Sequence, residues 1–66
     1  MLVTVNGGPD HVPDDTTVDD VVVRLGRGRS GLAVAVNDEV VPRSRWACTA
    51  LQAGDRVEVL TAAQGG

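Results

Sequence analysis

The chain has 66 residues and a formal net charge of −3, and arginine supplies all of its basic side chains. A domain this short buries only about 60% of the surface that its unfolded chain exposes, which leaves one thin core and no room for an enclosed catalytic cleft. The acidic balance argues against binding to nucleic acid or to anionic lipid, because both partners require a basic surface.

The chain opens with two predicted strands. Residues 2–6 are rich in β-branched side chains and run into Asn-Gly-Gly-Pro at positions 6–9, which is typical of a strand followed by a turn. Residues 10–13 are predicted to form a return strand. Because Pro13 has no amide hydrogen, we expect this strand to be brief or to lie at a sheet edge.

An amphipathic helix is predicted next. Thr17 is its N-cap, and Asp19 and Asp20 fall in the first turn, where carboxylates interact favourably with the positive end of the helix dipole. Gly26 is the predicted stop. An apolar stripe at helical spacing consists of Val18, Val21, Val22 and Leu25. Since valine is a mediocre helix former, this helix depends on packing against a sheet.

Three further strands are predicted in the second half of the chain. A glycine-rich loop at 27–31 precedes an apolar strand at 32–37, whose lack of alternation predicts burial on both faces. A turn at positions 37–38 leads to a return strand that ends at Pro42, and an irregular segment surrounds Trp46. The last strand, at 56–60, alternates cleanly, so Val57 and Val59 are predicted to face the core, and Arg56, Glu58 and Leu60 are predicted to face outward.

This order of elements predicts an α+β fold, in which one helix packs across a mixed sheet of four to five strands. Both terminal strands are apolar, so we expect them at the centre of the sheet. The predicted domain covers residues 1–60, and residues 61–66 are predicted to form a flexible tail that points away from it. When extended, six residues reach about 20 Å.

The predicted functional group is the carboxylate at the end of that tail. Gly65 and Gly66 have no Cβ, so this segment of backbone can thread a narrow channel in a partner. The carboxylate is ionised at neutral pH and has no good leaving group. A partner that uses ATP can convert it to an acyl-adenylate, and that partner must supply the cations because no arginine lies near the tail.

Much of the chain resembles the ThiS family of sulfur carriers in the synthesis of the thiazole ring of thiamin. The resemblance includes the opening strand that ends at Asn6 and the helix start at Thr17-Val18. It also includes the strand at 32–37, Val40, Leu51, Gly54-Asp55 and Val57-Glu58. Its most specific part is Val36-Asn37, Val41-Pro42-Arg43 and Trp46, together with the closing Gly65-Gly66.

This resemblance implies a β-grasp, ubiquitin-like fold and a protein that is a co-substrate, not an enzyme. It implies that an E1-like adenylating enzyme, ThiF or an equivalent, activates Gly66, with Gly65 as its unhindered neighbour. Sulfur from a donor system such as a cysteine desulfurase would give a thiocarboxylate, and the thiazole synthase ThiG would take that sulfur. No cofactor is expected on the chain itself, since ATP and metal ions belong to the partner.

Two other functions fit the same residues. One is a MoaD-like sulfur carrier for molybdopterin or for another sulfur pathway. The other is a ubiquitin-like interaction or conjugation module that uses the fold for docking. The chain contains no lysine, so it cannot form self-linked chains through lysine side chains.

The remaining candidate residues have structural explanations. Cys48 is predicted to be a half-buried small hydrophobic residue, His11 a solvent-facing strand residue and Trp46 a cap over one end of the core. Arg43 and Arg45 are predicted to be solvated charges, although either could contact a partner.

No metal site or membrane segment is predicted. The acidic residues near the helix start, which include Asp14 and Asp15, lack the spacing of a calcium loop. Cys48 is the only cysteine, so no internal disulfide is possible, which suits a reducing cytoplasm. The opening apolar run is too short for a signal peptide, and no stretch is long enough to cross a bilayer.

Overall fold

Five strands, one α-helix and one 3-10 helix make up the fold in a computed structural model, which describes residues 1–26, 28 and 30–61. The strands are β1 (Leu2–Val5), β2 (Gly8–His11), β3 (Leu32–Val36), β4 (Glu39–Val41) and β5 (Arg56–Thr61). The helix α1 (Val18–Leu25) follows β2, and the 3-10 helix (Arg43–Cys48) follows β4. β5 extends to Thr61, one residue beyond the predicted domain boundary.

All five strands form one mixed sheet in the order β2-β1-β5-β3-β4. β1 and β5 are parallel neighbours, and the other adjacent pairs are antiparallel. The prediction that the first and last strands lie centrally is confirmed, with β5 in the middle. β2 is an edge strand, as predicted, but its predicted bounds of 10–13 are wrong, because the two-residue turn at 6–7 starts the strand at Gly8. Pro13 lies outside it, and Pro9 is the proline within it.

The helix begins and ends where the sequence predicts. The Asp20 amide donates to Thr17 Oγ1 over 3.1 Å, and the Thr17 amide donates to Asp20 Oδ2 over 3.0 Å, so the two residues form a capping box. At the other end Gly26 has a φ of 71°, and its amide donates to the Val23 carbonyl. This left-handed conformation suits glycine, which has no Cβ to clash.

The helix buries less of its apolar stripe than predicted. Val18, Val21 and Val22 are buried, but Leu25 is 38% exposed, so that part of the prediction is wrong. Leu25 lies in the last turn of the helix. The residues described just beyond it, Gly26 and Gly28, are exposed and have no side chains that could pack over Leu25.

The core is a single layer between α1 and the sheet. Trp46, from the 3-10 helix, is its largest fully buried side chain, and its indole Nε1 donates to the Val41 carbonyl over 2.8 Å. The predicted role of Trp46 as a cap on the core is confirmed. The other core members are Val3, Val12, Val18, Val21, Val22, Val34, Leu51, Val57 and Val59.

The prediction that β3 is buried on both faces is wrong. Val34 is buried on the side of α1, whereas Ala33 is exposed and Ala35 is half-buried on the other side. The reason is that α1 covers one face of the sheet and leaves the opposite face open. Small alanine side chains occupy the exposed side of β3, and this explains the nearly continuous apolar run in its sequence.

Candidate functional site

The candidate site is the end of β5, the strand that leads into the predicted tail. The two predicted site residues, Gly65 and Gly66, lie outside the described residues. Thr61 is the last residue described, and it pairs with Leu32 at the start of β3. The strand order therefore places the end of β5, which leads into the predicted tail, in the middle of the sheet.

The end of β5 is paired differently on its two sides. On the β3 side the pairing is continuous from Val36 opposite Val57 to Leu32 opposite Thr61. On the β1 side the parallel pairing covers only the start of β5, and its last pair is Val5 with Val57. The final residues of β5 thus have a strand on one side only within the described part of the chain.

One side chain adds a hydrogen bond beyond that last pair. Asn6 has a φ of 50°, and its Oδ1 accepts from the Val59 amide over 2.8 Å. Asn37 does the same on the β3 side at the other end of the strand, since its φ is 52° and its Oδ1 accepts from the Arg56 amide over 2.9 Å. Sequence reasoning treated both asparagines only as turn signals.

An exposed apolar patch lies on the open face of the sheet. Residues directly opposite each other on neighbouring strands share a face, so the pairs Leu60 with Ala33 and Ala35 with Val40 put four side chains together. Leu60 is 61% exposed and Val40 is 72% exposed. We call these four residues the apolar patch. Leu60 directly precedes Thr61, the last described residue, so the patch lies at the end of β5 that leads into the predicted tail.

The outward direction of Leu60 confirms a prediction from the alternation of β5. Arg56 and Glu58 are exposed on the same face, as also predicted. Arg56 is paired, because its Nη2 lies 2.7 Å from Asp38 Oδ2. The open face therefore has an apolar part beside the tail and a charged part nearer the start of β5.

A groove of about 340 Å³ lies at the other end of the sheet. Val36, Val41 and Arg45 are among the residues that line it. Val36 pairs with Val57, near the start of β5, whereas Thr61 is at its end. Val40 of the apolar patch also lines this groove, so the two surfaces meet on β4, on the side of the patch away from Leu60.

The other candidate residues lie apart from the tail. His11, Arg43 and Arg45 are exposed, as predicted. Cys48 is exposed, so its predicted half-burial is wrong. The cause is the 3-10 helix, in which two residues span two-thirds of a turn, so that Trp46 enters the core while Cys48 points elsewhere.

Two kinds of site are absent from the described residues, a metal site and a membrane-spanning helix. Their His, Cys, Asp and Glu side chains form no group of three or more that is placed to hold a metal ion. Within the same residues, no helix combines the length and the apolar character needed to cross a membrane.

Comparison with known proteins identifies a family whose sequences resemble this chain. The sequence model of the ThiS family matches residues 3–66. The sulfur carrier protein ThiS of Escherichia coli strain K12 is 34% identical over 50 residues, which is 76% of each chain. The family match extends through residue 66, so it includes Gly65 and Gly66.

Solved structures match the whole chain. The crystal structure of the thiamine biosynthesis protein ThiS from Geobacter metallireducens superposes with a TM-score of 0.84 at 32% identity and covers 100% of both chains. The solution structure of a thiamine biosynthesis protein from the same organism gives a TM-score of 0.75 at 32% identity, covering 100% of this chain and 88% of the other. The β-grasp fold expected from the sequence is confirmed.

Proposed function

The chain belongs to the ThiS family, and from this membership we propose that it carries sulfur for thiamin synthesis on its C-terminal glycine, Gly66. The observation that supports the proposal most directly is the family match, which runs through the final Gly-Gly. It also favours thiamin over the molybdopterin alternative. The protein is then a co-substrate of other enzymes and not itself a catalyst.

The first step is activation of Gly66 by an E1-like adenylating enzyme, ThiF or an equivalent. A carboxylate oxygen of Gly66 attacks the α-phosphorus of ATP, a C-terminal acyl-adenylate forms, and pyrophosphate leaves. Two anions must approach each other in this step, so the enzyme supplies cations to offset their repulsion. Gly65 has no side chain to obstruct the approach.

The second step replaces oxygen by sulfur. The nucleophile is the outer sulfur of a persulfide supplied by a cysteine desulfurase system. It attacks the acyl carbon of Gly66, AMP leaves with one of the original carboxylate oxygens, and an acyl disulfide forms. A thiol then reduces the sulfur–sulfur bond with two electrons and is itself oxidised to a disulfide. The product is a thiocarboxylate. The thiazole synthase ThiG accepts its sulfur, and the carrier returns with a carboxylate. Cys48 is an exposed free thiol, so we place this work in the reducing cytoplasm.

The apolar patch is the surface that we propose for docking on the adenylating enzyme. The enzyme must bind the body of the carrier as well as its tail. Leu60 is the exposed apolar side chain nearest to that tail along β5. Interfaces of this kind have an apolar centre and a polar rim. On the open face, Glu58 lies opposite Ala35 and Arg56 lies two residues nearer the start of β5, so they supply a polar rim on the side of the patch away from Thr61.

Leu60→Arg is expected to raise the KM of the adenylating enzyme for the carrier by about tenfold or more. A buried leucine contributes about 1.5–3 kcal/mol, and the variant also places a charge in the interface. The matched control is Val23→Arg, because Val23 is 55% exposed on α1 and lies away from the open face. Initial-rate kinetics on both variants checks the prediction. An equal rise in KM for both would exclude the apolar patch as the docking surface.

The test of the proposed function is the intact mass of the chain after reaction. The purified protein is incubated with a ThiF-type enzyme, ATP, Mg²⁺, a cysteine desulfurase and cysteine. We expect the mass to rise by the difference between one sulfur and one oxygen atom, and we expect no change when ATP is omitted. If the mass stays constant while the same enzyme mixture modifies Escherichia coli ThiS, the proposal fails for this chain.

A further inference from the structure

The parallel ladder between β1 and β5 ends in an unusual way. The Thr4 amide donates to the Asp55 carbonyl over 2.9 Å, and the Asn6 amide donates to the Val57 carbonyl over 2.9 Å. In a regular parallel ladder the next bond would run from the Val59 amide to the backbone carbonyl of Asn6. The side chain of Asn6 takes that place, and its Oδ1 accepts from Val59 over 2.8 Å.

The backbone at Asn6 explains the exchange of acceptors. Asn6 and Gly7 form the two-residue turn between β1 and β2, with φ values of 50° and 83°. β1 therefore turns away from β5 at Asn6, the residue whose backbone carbonyl would accept the next hydrogen bond of the ladder. Asparagine tolerates this left-handed conformation, and its side-chain amide presents a carbonyl oxygen like that of the backbone.

This bond is the last one that β5 receives from the β1 side within the described residues. Val59 is followed by Leu60 and Thr61, which pair only with Ala33 and Leu32 of β3. The bond from Asn6 therefore holds β5 on its second side two residues before the strand ends. Residues 62–66 follow this end of β5 in the chain.

We propose that Asn6 is a positioning residue for the reactive terminus. Its side chain fixes the end of β5 in the folded carrier, so this part of the strand does not have to become ordered when the carrier docks. Preorganisation of this kind lowers the entropic cost of binding. The proposal rests on the proposed function, because it concerns how the same C-terminal glycine reaches the site of the adenylating enzyme.

Asn37 is a close internal control for Asn6. It is also the first residue of a two-residue hairpin turn, has a φ of 52°, and accepts from a β5 amide through Oδ1. Its partner is Arg56, the first residue of β5, so this bond lies at the end of the strand away from the tail. Asn37 Nδ2 also donates to Asp55, so Asn37→Gly removes at least as many hydrogen bonds as Asn6→Gly.

The test uses Asn6→Gly, Asn37→Gly and Asn6→Asp. Glycine keeps the left-handed backbone and removes the acceptor, whereas aspartate keeps the acceptor. We expect Asn6→Gly to raise the KM for adenylation by about 3- to 10-fold, the factor that corresponds to one hydrogen bond, with kcat within about twofold of the original. Asn37→Gly is expected to lower the denaturation midpoint at least as much as Asn6→Gly does, but to leave KM unchanged. Asn6→Asp is expected to keep the KM of the original chain.

Amide hydrogen exchange followed by NMR supplies a readout that does not depend on the partner. Asn6→Gly is expected to speed exchange selectively at Val59 relative to Val57, whereas Asn37→Gly should leave that ratio unchanged. Three results would each overturn the proposal. They are an equal change of KM in the two glycine variants, an unchanged KM in Asn6→Gly, and a KM of Asn6→Asp as high as that of Asn6→Gly. If the original chain is not adenylated at all, the proposed function fails, and the exchange ratio alone then decides whether Asn6 holds the strand end.

Discussion

Replacing Gly66 with phenylalanine is expected to reduce adenylation by more than about 100-fold while the protein stays folded. A bulky terminal side chain displaces the carboxylate from the α-phosphorus of ATP, and a misplacement of about 1 Å is enough for a loss of that size. The fold is unaffected because the described core lies between Val3 and Val59. Pyrophosphate release with the adenylating enzyme measures the first effect, and thermal unfolding followed by circular dichroism measures the second.

Ser44→Phe is the control for this experiment. Ser44 is exposed on the 3-10 helix, so the variant adds the same side chain at a site that lies away from the tail. We expect it to be adenylated at the original rate. Normal adenylation of Gly66→Phe would contradict the proposed chemistry. Deletion of Gly65 and Gly66 distinguishes a sulfur carrier from a module that only docks. After the deletion a docking module would still support the activity of its partner, whereas a carrier would not.

Trp46→Ala is expected to leave the chain largely unfolded at 25 °C. Truncation of a buried tryptophan costs about 3–5 kcal/mol, and the core of a domain this small supplies a net stability of about the same size. The indole of Trp46 is also the donor to the Val41 carbonyl, which loses that bond. Circular dichroism and urea titration check this expectation.

Trp46→Phe keeps an aromatic side chain in the core and loses the indole donor. We expect it to fold with a stability reduced by about 1–3 kcal/mol, because it leaves a smaller cavity and one unsatisfied acceptor. A cooperative unfolding transition of Trp46→Ala at the original midpoint would show that the tryptophan is not essential to the core. Together the two variants separate the contribution of volume from that of the hydrogen bond.

Local signals in the sequence were sufficient to predict the helix and the last strand. The cap at Thr17 with Asp20 and the stop at Gly26 depend on residues within one turn of each other, so their chemistry is readable without the fold. The alternation of Val57 and Val59 similarly predicts which side of β5 is buried. The reactive residue, Gly66, was also chosen from sequence alone, and it stays a prediction because it lies outside the described residues.

Burial was predicted less well wherever it depends on a distant element. Leu25 and Cys48 are apolar or small residues near a core, and the sequence does not reveal that Leu25 stays 38% exposed and that Cys48 is exposed as well. The apolar run of β3 likewise favoured burial on both faces, whereas the single helix covers only one. Exposure is set by which elements pack together, and periodicity within one element carries no information about that.

The sequence by itself therefore determined the order of the elements and the ends of the helix, and it predicted the reactive terminus. Only the tertiary structure decided that β1 and β5 lie side by side and that the Asn6 side chain bonds to Val59, 53 residues away. It also decided that Leu60, Ala33 and Val40 meet on an open face beside the tail. The physical reason is that caps and turns arise from neighbouring residues, whereas strand register and exposed surfaces arise from contacts between residues far apart in the chain.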